Sequence, residues 1–299
     1  MERKLIYLIN PISGTKDKKK LKGQIEKETT LAGIPFSIIE TNATGDYTYL
    51  KKLISNEGIT DIIICGGDGT INQVASALQG INVNIGIIPM GSGNGLALAA
   101  GIPKNIRGAL KIIFNGNASF IDSFYINGQF SCMLCGLGFD AQVAHDFAKQ
   151  KKRGLLTYIK QTIRNFIIAP AYRFVITDHE TEMSTQAFFI SIANSNQYGN
   201  NVRIAPKASL HDGLLDVVVV NKMSKMRMLY ALLVQLKAGQ VVPFSEKKFH
   251  QKDIQYFQTK KLSIQNPGLA PFHIDGDPGS FAEKFDIAII EDAFLLLQP

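Results

Sequence analysis

The chain has 299 residues, of which 45% are hydrophobic and 19% charged, and its net charge is +7. This length supports a full hydrophobic core in one large or two ordinary domains. No apolar run approaches the roughly 18 residues that a membrane-spanning helix needs, which excludes a membrane-embedded helical protein. The apolar N-terminal run lacks a small-residue cleavage site and predicts a first strand rather than a signal peptide, so a cytoplasmic location is expected.

In chain order, the first third alternates short apolar runs with helix-like segments. Continuous apolar strands separated by helices indicate a parallel sheet that is covered on both faces. We therefore predict an α/β domain with a Rossmann-like parallel sheet. The predicted strands are Lys4–Ile9, Phe36–Glu40, Asp61–Cys65 and Ile85–Pro89, and the predicted helices are a lysine-rich segment ending near Leu31, Gly45–Ser55, Thr70–Leu78 and Gly93–Ala100.

After about Asn117, strands become the more common element, and this half is predicted to be an antiparallel β domain with helical insertions. Asn127-Gly128 joins the apolar runs Phe120–Ile126 and Phe130–Leu137 and is a strong signal for a two-residue hairpin. Further strands are predicted at Tyr172–Thr177, Gln186–Ala193, Leu215–Val220, Asp253–Thr259, Lys261–Gln265 and Pro271–Ile274, with helices at Ala141–Gln150, Leu155–Ile168 and Ser224–Ala238.

The strongest local signal for function is the sequence Gly-Gly-Asp-Gly-Thr at Gly66–Thr70, where a strand ends and a helix begins. Glycines let the backbone approach a ligand closely, and a helix N-terminus offers N–H groups and partial positive charge to a phosphate. Asp68 would repel a bare phosphate, so its position favours a Mg²⁺ ion between them. The alternative is a tight strand-to-helix turn with a capping aspartate.

Two more strands end in loops of similar composition. Asn10–Gly14 follows the first strand and Pro89–Gly95 follows the fourth. Because successive parallel strands end at one edge of the sheet, the three loops are expected to form a phosphate-binding cradle together. The chain has neither the P-loop motif nor a G-x-G-x-x-G motif after its first strand, so those nucleotide folds are disfavoured.

Acidic residues in the second half occur beside glycines, at Ser209–Asp216 and at His273–Pro278. Carboxylates and backbone carbonyls there can bind a hard cation or serve as a general base, and the same residues make ordinary β-turns. Cys132 and Cys135 have C-x-x-C spacing, but no second pair completes a zinc site. Buried apolar cysteines are the default interpretation.

The order and spacing of these motifs resemble the diacylglycerol/sphingosine kinase-like lipid kinase family along nearly the whole chain. The resemblance rests on Asn10–Gly14, Gly66–Asn72, Pro89–Leu96, Gly136–Ala141, Ile204–Val218 and Ile274–Pro278. It implies an α/β nucleotide-binding domain at residues 1–120, to which residues 287–299 return. It also implies a larger β-sandwich domain at residues 121–286 that binds the acceptor, with an active-site cleft between the two domains.

The resemblance implies ATP and Mg²⁺ as cofactors and gives roles to individual residues. Asp68 would orient Mg²⁺ and the phosphates, and Asp277 would be the general base. A structural Mg²⁺ site would use Ser209, Asp212 and the carbonyl of Leu214. The implied nucleotide contacts are Asn10, Pro11, Ser13, Gly14, Thr41, Gly66, Gly67, Gly69, Thr70, Asn72, Ser92 and Asn94.

The chain departs from the family pattern in three places. Asp277 stands where relatives usually have glutamate, so the base is one methylene shorter. Gly95 replaces the aspartate of diacylglycerol-type members and is more like the sphingosine-kinase version. Thr15 stands where bacterial diacylglycerol kinases often have a lysine, and the neighbouring Lys16 can take the role of that lysine.

The expected function is phosphorylation of a hydroxyl group on a neutral lipid, of diacylglycerol or sphingoid type. Basic clusters near Lys16–Lys22 and Lys149–Arg153, and the apolar stretch Met226–Val234, are candidates for transient docking on a membrane surface. The basic clusters lack interleaved aromatics, so nucleic acid is not expected. A small-molecule kinase of NAD kinase type, a non-catalytic nucleotide- or lipid-binding regulator, and a homodimer all stay open.

Overall fold

The computed structural model of the chain describes residues 2–14, 17–42, 44–150, 155–197, 204–228, 230 and 253–299. The chain forms two compact units, Met1–Asp122 with Glu291–Pro299, and Ser123–Ile290. The domain bounds that the resemblance implies, residues 1–120 with 287–299 and residues 121–286, stay a prediction. Within the described ranges, no helix is long and apolar enough to cross a bilayer.

The first unit is an α/β structure around a parallel sheet, which confirms the predicted fold class. The strands lie in the order β15-β4-β3-β1-β2. All five residues of β1 and all six of β3 are buried, because helices cover both faces of the sheet. The elements are β1 (Leu5–Ile9), α1 (Lys18–Leu31), β2 (Phe36–Glu40), α2 (Tyr49–Glu57), β3 (Asp61–Gly66), α3 (Asp68–Ala77), β4 (Asn84–Pro89), α4 (Gly95–Ala99), α5 (Ile106–Asn115) and the second half of β15 (Lys284–Gln298).

The second unit is an antiparallel β-sandwich, as the family resemblance implies. Its core contains apolar residues from β5, β7, β8, β9, β10, β12, β13 and β15, and Phe124, Phe174 and Phe285 are nearly inaccessible to solvent. Its elements are β5 (Asn117–Ile126, which begins in the first unit), β6 (Gln129–Ser131), β7 (Leu134–Gly138), α6 (Phe139–Ala148), α7 (Leu155–Ile168), β8 (Tyr172–Asp178), β9 (Thr181–Ala193), β10 (Leu215–Asn221), β11 (Ile254–Thr259), β12 (Lys261–Gln265), β13 (Phe272–Ile274), β14 (Asp277–Pro278) and the first half of β15.

The predicted hairpin at Asn127-Gly128 is confirmed. Ile126 pairs with Gln129 across a two-residue turn, and φ is 47° at Asn127 and 77° at Gly128. Positive φ at both central residues is the conformation that suits the twist of an antiparallel pair.

The prediction of one strand over Phe130–Leu137 is wrong, because the segment is divided into β6 and β7. The link between them bends around the carboxylate of Asp275, whose Oδ1 accepts hydrogen bonds from the N–H groups of Met133 at 3.2 Å and Leu134 at 2.9 Å. These N–H groups therefore bond to a side chain instead of to a neighbouring strand.

Other differences lie at element boundaries. The helix predicted at Gly45–Ser55 begins only at Tyr49, since Asp46 accepts hydrogen bonds from both the N–H and the hydroxyl of Thr48 and forms a local turn. Helix α5 was not predicted, although Asn105 caps it by accepting the Gly108 N–H at 2.7 Å. Of the helix predicted at Ser224–Ala238, residues 229 and 231–238 lie outside the described residues.

Candidate functional site

The loop after β1 is joined to the loop after β3 by Asn10. Its Nδ2 donates to Thr70 Oγ1 at 2.8 Å, and its backbone N–H donates to the Cys65 carbonyl at 3.0 Å. Asn10 Oδ1 also accepts the N–H of Ile12 at 3.0 Å, which closes the turn. A single asparagine thus fixes the loop of Asn10–Gly14 against the start of α3.

Glycines allow the three loops to pack backbone against backbone. A Cβ built on Gly14, where φ is 61°, would lie 1.9 Å from the Met90 carbonyl oxygen. A Cβ on Gly91 would lie 2.7 Å from the Cα of Gly67, and one on Gly67 would lie 3.1 Å from the Cα of Gly91. No side chain fits at these positions without displacing the opposite loop. The carboxyl edge of the sheet is therefore a compact surface of main-chain groups.

The carboxylate of Asp68 lies at the N-terminus of α4, where Oδ1 accepts the N–H of Leu96 at 3.4 Å. Burial raises the pKa of Asp68, and the backbone N–H groups of Gly95, Leu96 and Asn94 oppose that rise. Asp68 therefore caps α4, the helix after the next strand. Its own helix α3 has no side-chain cap, so an aspartate that caps its own strand-to-helix turn is not observed. The role of Asp68 toward a cation or phosphate stays a prediction.

The N-terminus of α3 has no side-chain hydrogen bond at its cap, which is Gly67. The first turn of a helix carries N–H groups without intrahelical partners and a partial positive charge, so this end of α3 suits an anion. Asn94, with φ of 55°, closes the neighbouring loop by exchanging two hydrogen bonds with Gly91, at 2.8 and 2.7 Å. Ser92, in the same loop, is exposed.

Thr41 lies at the same edge, at the end of β2, and its N–H donates to the Ile9 carbonyl at 3.0 Å. A hydrogen bond joins its side chain to that of Tyr47, which is buried. Lys18, at the start of α1, donates from Nζ to the Ser13 carbonyl. Neither Tyr47 nor Lys18 was predicted as a site residue, and a single sequence has no periodicity that marks them.

In the second unit, Asp277 begins the short strand β14, and its side chain is exposed. The turn before it consists of Asp275 and Gly276, with φ of 49° and 87°. His273, in β13, is buried, and its Nε2 lies 3.3 Å from Oδ2 of Asp140 in the first turn of α6. The turn interpretation of His273–Pro278 is therefore confirmed, whereas a role for Asp277 as a base stays a prediction.

The residues of the implied Mg²⁺ site form a turn before β10. Asp212 is exposed, and its Oδ1 accepts the N–H of Leu214 at 3.2 Å, while Ser209 Oγ accepts the N–H of His211 at 3.2 Å. Within the described part of the chain, no three His, Cys, Asp or Glu side chains are grouped for a metal. A cation here would rely on hydroxyl and carbonyl oxygens as well.

Asp216 supplies an observation in favour of a cation near this turn. Its side chain is fully buried and its Oδ1 has no hydrogen-bond partner. Burial raises the pKa of Asp216 to about 7, and the nearby charge of Asp212 adds to the rise. A bound cation would offset both the desolvation and the repulsion between the two carboxylates.

The three cysteines are buried and form no disulfide with one another. Burial raises the pKa of Cys65 and of Cys135 above that of a free thiol. Cys135 belongs to the sandwich core. The predicted burial of Cys132 and Cys135 is therefore confirmed, and Cys135 packs in the apolar core, whereas Cys132 Sγ lies 4.0 Å from Oδ2 of Asp275.

The structure brings one group of predicted residues together. The predicted nucleotide residues of the loops after β1, β2, β3 and β4 lie at the carboxyl edge of one sheet, whereas Ser209, Asp212, Leu214 and Asp277 belong to the second unit. Thr15 and Lys16 lie outside the described residues. The contact between Asp140 and His273 was missed, although both belong to motifs that the sequence marks.

Two family models match the chain. Residues 4–126 match the diacylglycerol kinase catalytic domain, and residues 134–284 match the YegS C-terminal NAD kinase beta sandwich-like domain.

Curated relatives match over most of the chain. A diacylglycerol kinase of Bacillus subtilis is 26% identical over 94% of this chain and 93% of its own length. A protein of Citrobacter koseri named "probable lipid kinase YegS-like" is 31% identical over 87% of this chain and 85% of its own. The crystal structure of a diacylglycerol kinase from Bacillus anthracis has the same fold, with a TM-score of 0.74, 20% identity and coverage of 100% of this chain and 97% of that one.

Proposed function

The chain belongs to the diacylglycerol kinase and YegS-like family of lipid kinases, and we propose that it transfers the γ-phosphoryl group of ATP to a hydroxyl group of a neutral lipid. The observation that carries the proposal is the packing of three loops at one edge of the parallel sheet, where Gly14, Gly67 and Gly91 let main chains meet. Strand-end loops beside a helix N-terminus are where α/β proteins bind nucleotide phosphates.

In this proposal the first unit binds ATP through its main chain. The uncapped first turn of α3 and the loops after β1 and β4 donate N–H groups to the phosphate oxygens. The fixed backbone of these loops orients the terminal phosphate without reorganisation, and positioning is the main source of catalysis in phosphoryl transfer. Tyr47 holds Thr41 in place beside them.

Magnesium is the cation that the family implies. The turn of Ser209, Asp212 and the Leu214 carbonyl would hold it as a structural ion, and the orphaned buried oxygen of Asp216 favours a positive charge there. Asp68 would orient a second ion at the phosphates. When bound, Mg²⁺ neutralises the charge that develops on the transferred phosphoryl group.

Asp277 is the proposed general base, since its exposed carboxylate is accessible to an acceptor hydroxyl. It takes the proton as the hydroxyl oxygen attacks the γ-phosphorus, the bond from that phosphorus to the bridging oxygen breaks, and ADP leaves. Asp277→Asn preserves the shape of the side chain but cannot accept this proton, so kcat is expected to fall by about 10²–10⁴-fold. Asp277→Glu restores the residue that relatives usually have and is expected to remain active.

The test is transfer of radiolabel from ATP to a panel of diacylglycerol, sphingoid base, ceramide and NAD, with the product identified. Transfer to a lipid that depends on Mg²⁺ and on Asp277 supports the proposal. Transfer to NAD alone would replace it with a small-molecule kinase, and the domain name of the second family model makes NAD a necessary member of the panel. ATP binding without transfer to any acceptor would leave a non-catalytic regulator.

We also propose that the protein docks on an anionic membrane surface through one face of α7 and binds its lipid substrate there. Ile163, Ile167 and Ile168 are 59%, 69% and 67% exposed, and Lys160 and Arg164 are exposed between and beside them. Residues three and four apart share a helix face, so these five form one basic and apolar stripe. Such a face lies in the interface of a bilayer with its charges at the headgroups.

Sedimentation with vesicles tests this docking. Vesicles of phosphatidylglycerol are expected to bind the wild type in a salt-sensitive manner, and Ile163→Ser with Ile167→Ser is expected to reduce binding. Leu31→Ser, which removes an equally exposed residue (74%) at the end of α1, is the control. Equal sedimentation of all three proteins would refute the role of α7.

A further inference from the structure

The hairpin of β13 and β14, which carries Asp277, is fixed on one side by Asp275. Its Oδ1 accepts hydrogen bonds from Ser131 Oγ at 2.7 Å and from the Leu134 N–H at 2.9 Å. A carboxylate that accepts several bonds in one geometry does not rotate without losing them. The turn is thereby held at Asp275, and the next residue, Gly276, connects this anchor to Asp277.

Gly276 is held by a different side chain. Its N–H donates to Nδ1 of His273 at 3.3 Å. A ring nitrogen that accepts a hydrogen bond carries no proton, so the proton of the neutral imidazole lies on Nε2. That nitrogen lies 3.3 Å from Oδ2 of Asp140, which accepts the bond.

Asp140 is itself held in place by the helix to which it belongs. Its Oδ1 accepts the N–H of Ala141 at 2.8 Å, within the first turn of α6. The same helix contacts the hairpin a second time, because Nε2 of His145 donates to the Phe272 carbonyl at 2.8 Å. Helix α6 therefore determines the orientation of the imidazole of His273.

Gly136 leaves the space in which the two side chains meet. It pairs with His273 across β7 and β13. A Cβ on Gly136 would lie 2.1 Å from Oδ2 of Asp140 and 2.7 Å from Nε2 of His273. His273 is 1% exposed and the side chain of Asp140 is 10% exposed, so the bond between them is largely shielded from water. Glycine at this position of β7 therefore allows the two side chains to meet.

We propose that Asp140 and His273 are positioning residues for phosphoryl transfer, which hold the Gly276 N–H and thereby fix the carboxylate of Asp277 for its reaction with the acceptor hydroxyl. Asp140 selects the Nε2-protonated form of His273, this form accepts the Gly276 N–H, and the bond sets the backbone of the turn. The inference rests on the proposed function, in which Asp277 is the base. Second-layer contacts of this kind control the orientation of reacting groups.

Two substitutions of His273 distinguish its contact with Gly276 from its contact with Asp140. His273→Asn places an amide oxygen near the position of Nδ1 and preserves the acceptor for Gly276. His273→Gln places its amide near Nε2, so it preserves a donor to Asp140 but leaves the Gly276 N–H without its acceptor. Asp140→Asn allows the imidazole to take the other tautomer, whose Nδ1 is protonated. His179→Asn, at an exposed histidine in the β8–β9 turn, is the control.

The experiment measures kcat and KM of each variant, together with hydrogen–deuterium exchange of a peptide covering residues 274–280 in the protein without ATP or lipid. His273→Gln and Asp140→Asn are expected to lower kcat by about tenfold, the rate equivalent of one lost hydrogen bond, with KM for ATP within about twofold. Exchange at Gly276 is expected to become faster in both. His273→Asn is expected to resemble the wild type and the control in both measurements.

Equal kcat and equal exchange in His273→Asn and His273→Gln would overturn the inference, because a role in packing alone does not distinguish them. If either His273 variant shows no folding transition in a thermal melt, the kcat of Asp140→Asn and its exchange at Gly276 test the inference instead. Failure of the proposed function is recognised separately: wild-type protein then phosphorylates no lipid, or Asp277→Asn keeps full turnover. The exchange result at Gly276 stands in either case.

Discussion

At the amino edge of the parallel sheet, the partly exposed Arg3 forms an ion pair with the buried Asp61, whereas at the carboxyl edge the same strands end in loops rich in glycine and asparagine. The carboxylate of Asp61 is fully buried and accepts Arg3 Nη2 at 2.7 Å, Arg3 Nε at 3.1 Å, Thr60 Oγ1 at 2.6 Å and Asn84 Nδ2 at 3.1 Å. At the carboxyl edge, the uncapped turn of α3 faces the packed glycines.

Under the proposed function, the two edges of one sheet have different roles, stability at the amino edge and binding at the carboxyl edge. The charges of the amino edge are satisfied by the protein itself, since Arg3 also donates to the carbonyls of Ile113 and Phe114. The main-chain groups of the carboxyl edge are held in a fixed arrangement that a phosphate can complete. Substitutions at the two edges are therefore expected to change different quantities.

The largest effect is expected from Asp61→Ala, which removes the four hydrogen bonds that this buried carboxylate accepts. At about 1 kcal/mol each, their loss should lower the free energy of unfolding in urea titration by about 3–5 kcal/mol. The specific activity of the folded fraction should not change. Lys4→Ala is the control, because its pair with Glu57 at the same edge is exposed and contributes at most about 1 kcal/mol. A loss of activity without a loss of stability would contradict the comparison.

Asp68→Asn tests the opposite edge. The amide preserves an acceptor for the Leu96 N–H but removes the charge. We expect kcat to fall by about 10²–10³-fold, the size of losing one preorganised electrostatic contact, with an unfolding free energy within about 1 kcal/mol of the wild type. Steady-state kinetics over a Mg²⁺ titration and urea unfolding measure the two quantities. Unchanged kcat would show that Asp68 is only a helix cap.

Gly91→Ala is expected to weaken nucleotide binding by about tenfold. The new Cβ would lie 2.7 Å from the Cα of Gly67, so the two loops must separate by a few tenths of an ångström, and a misplacement of this kind lowers the affinity of a preformed site. Calorimetric titration with ATP measures the change. Gly23→Ala, at an exposed glycine of α1 where no atom lies within 4 Å of the new Cβ, is the control for adding a methyl group at a surface glycine. Equal affinities would remove the role given to loop packing.

The smallest effect is expected from Tyr47→Phe, which removes only the hydrogen bond to Thr41. The loss should be about 1 kcal/mol of nucleotide affinity or unfolding free energy. Calorimetric titration with ATP measures the affinity, and urea unfolding measures the stability. An effect as large as that of Asp68→Asn would mean that Tyr47 contacts the ligand directly.

Much of the fold follows from local patterns. Lys261–Gln265 and Leu155–Ile168 form the predicted strand and helix with the same bounds, because their apolar spacing is uniform. The start of β9 at Thr181 was not predicted, since it follows a His179-Glu180 turn in which φ of 51° at His179 occurs without a glycine or asparagine. The break between β6 and β7 depends on Asp275, which is 142 residues away from Met133. No local sequence pattern indicates a contact between residues so far apart in the chain.

The same limit applies to the site. Glycine loops after buried strands are visible in the sequence because each is local, and their common edge follows from a parallel sheet. The contact of Asp140 with His273 joins residues 133 apart. It becomes evident only when the pairing of β7 with β13 places Gly136 opposite His273.

Strand β15 has a consequence for synthesis on the ribosome. Leu295 and Leu296 pair with Asn84 and Ile85 of β4, which are translated long before them. Until β15 emerges, the edge of β4 exposes a row of unpaired main-chain groups, and such an edge can pair with another chain. A nascent chain that already contains the three glycine-rich loops is therefore expected to depend on chaperones until β15 is made.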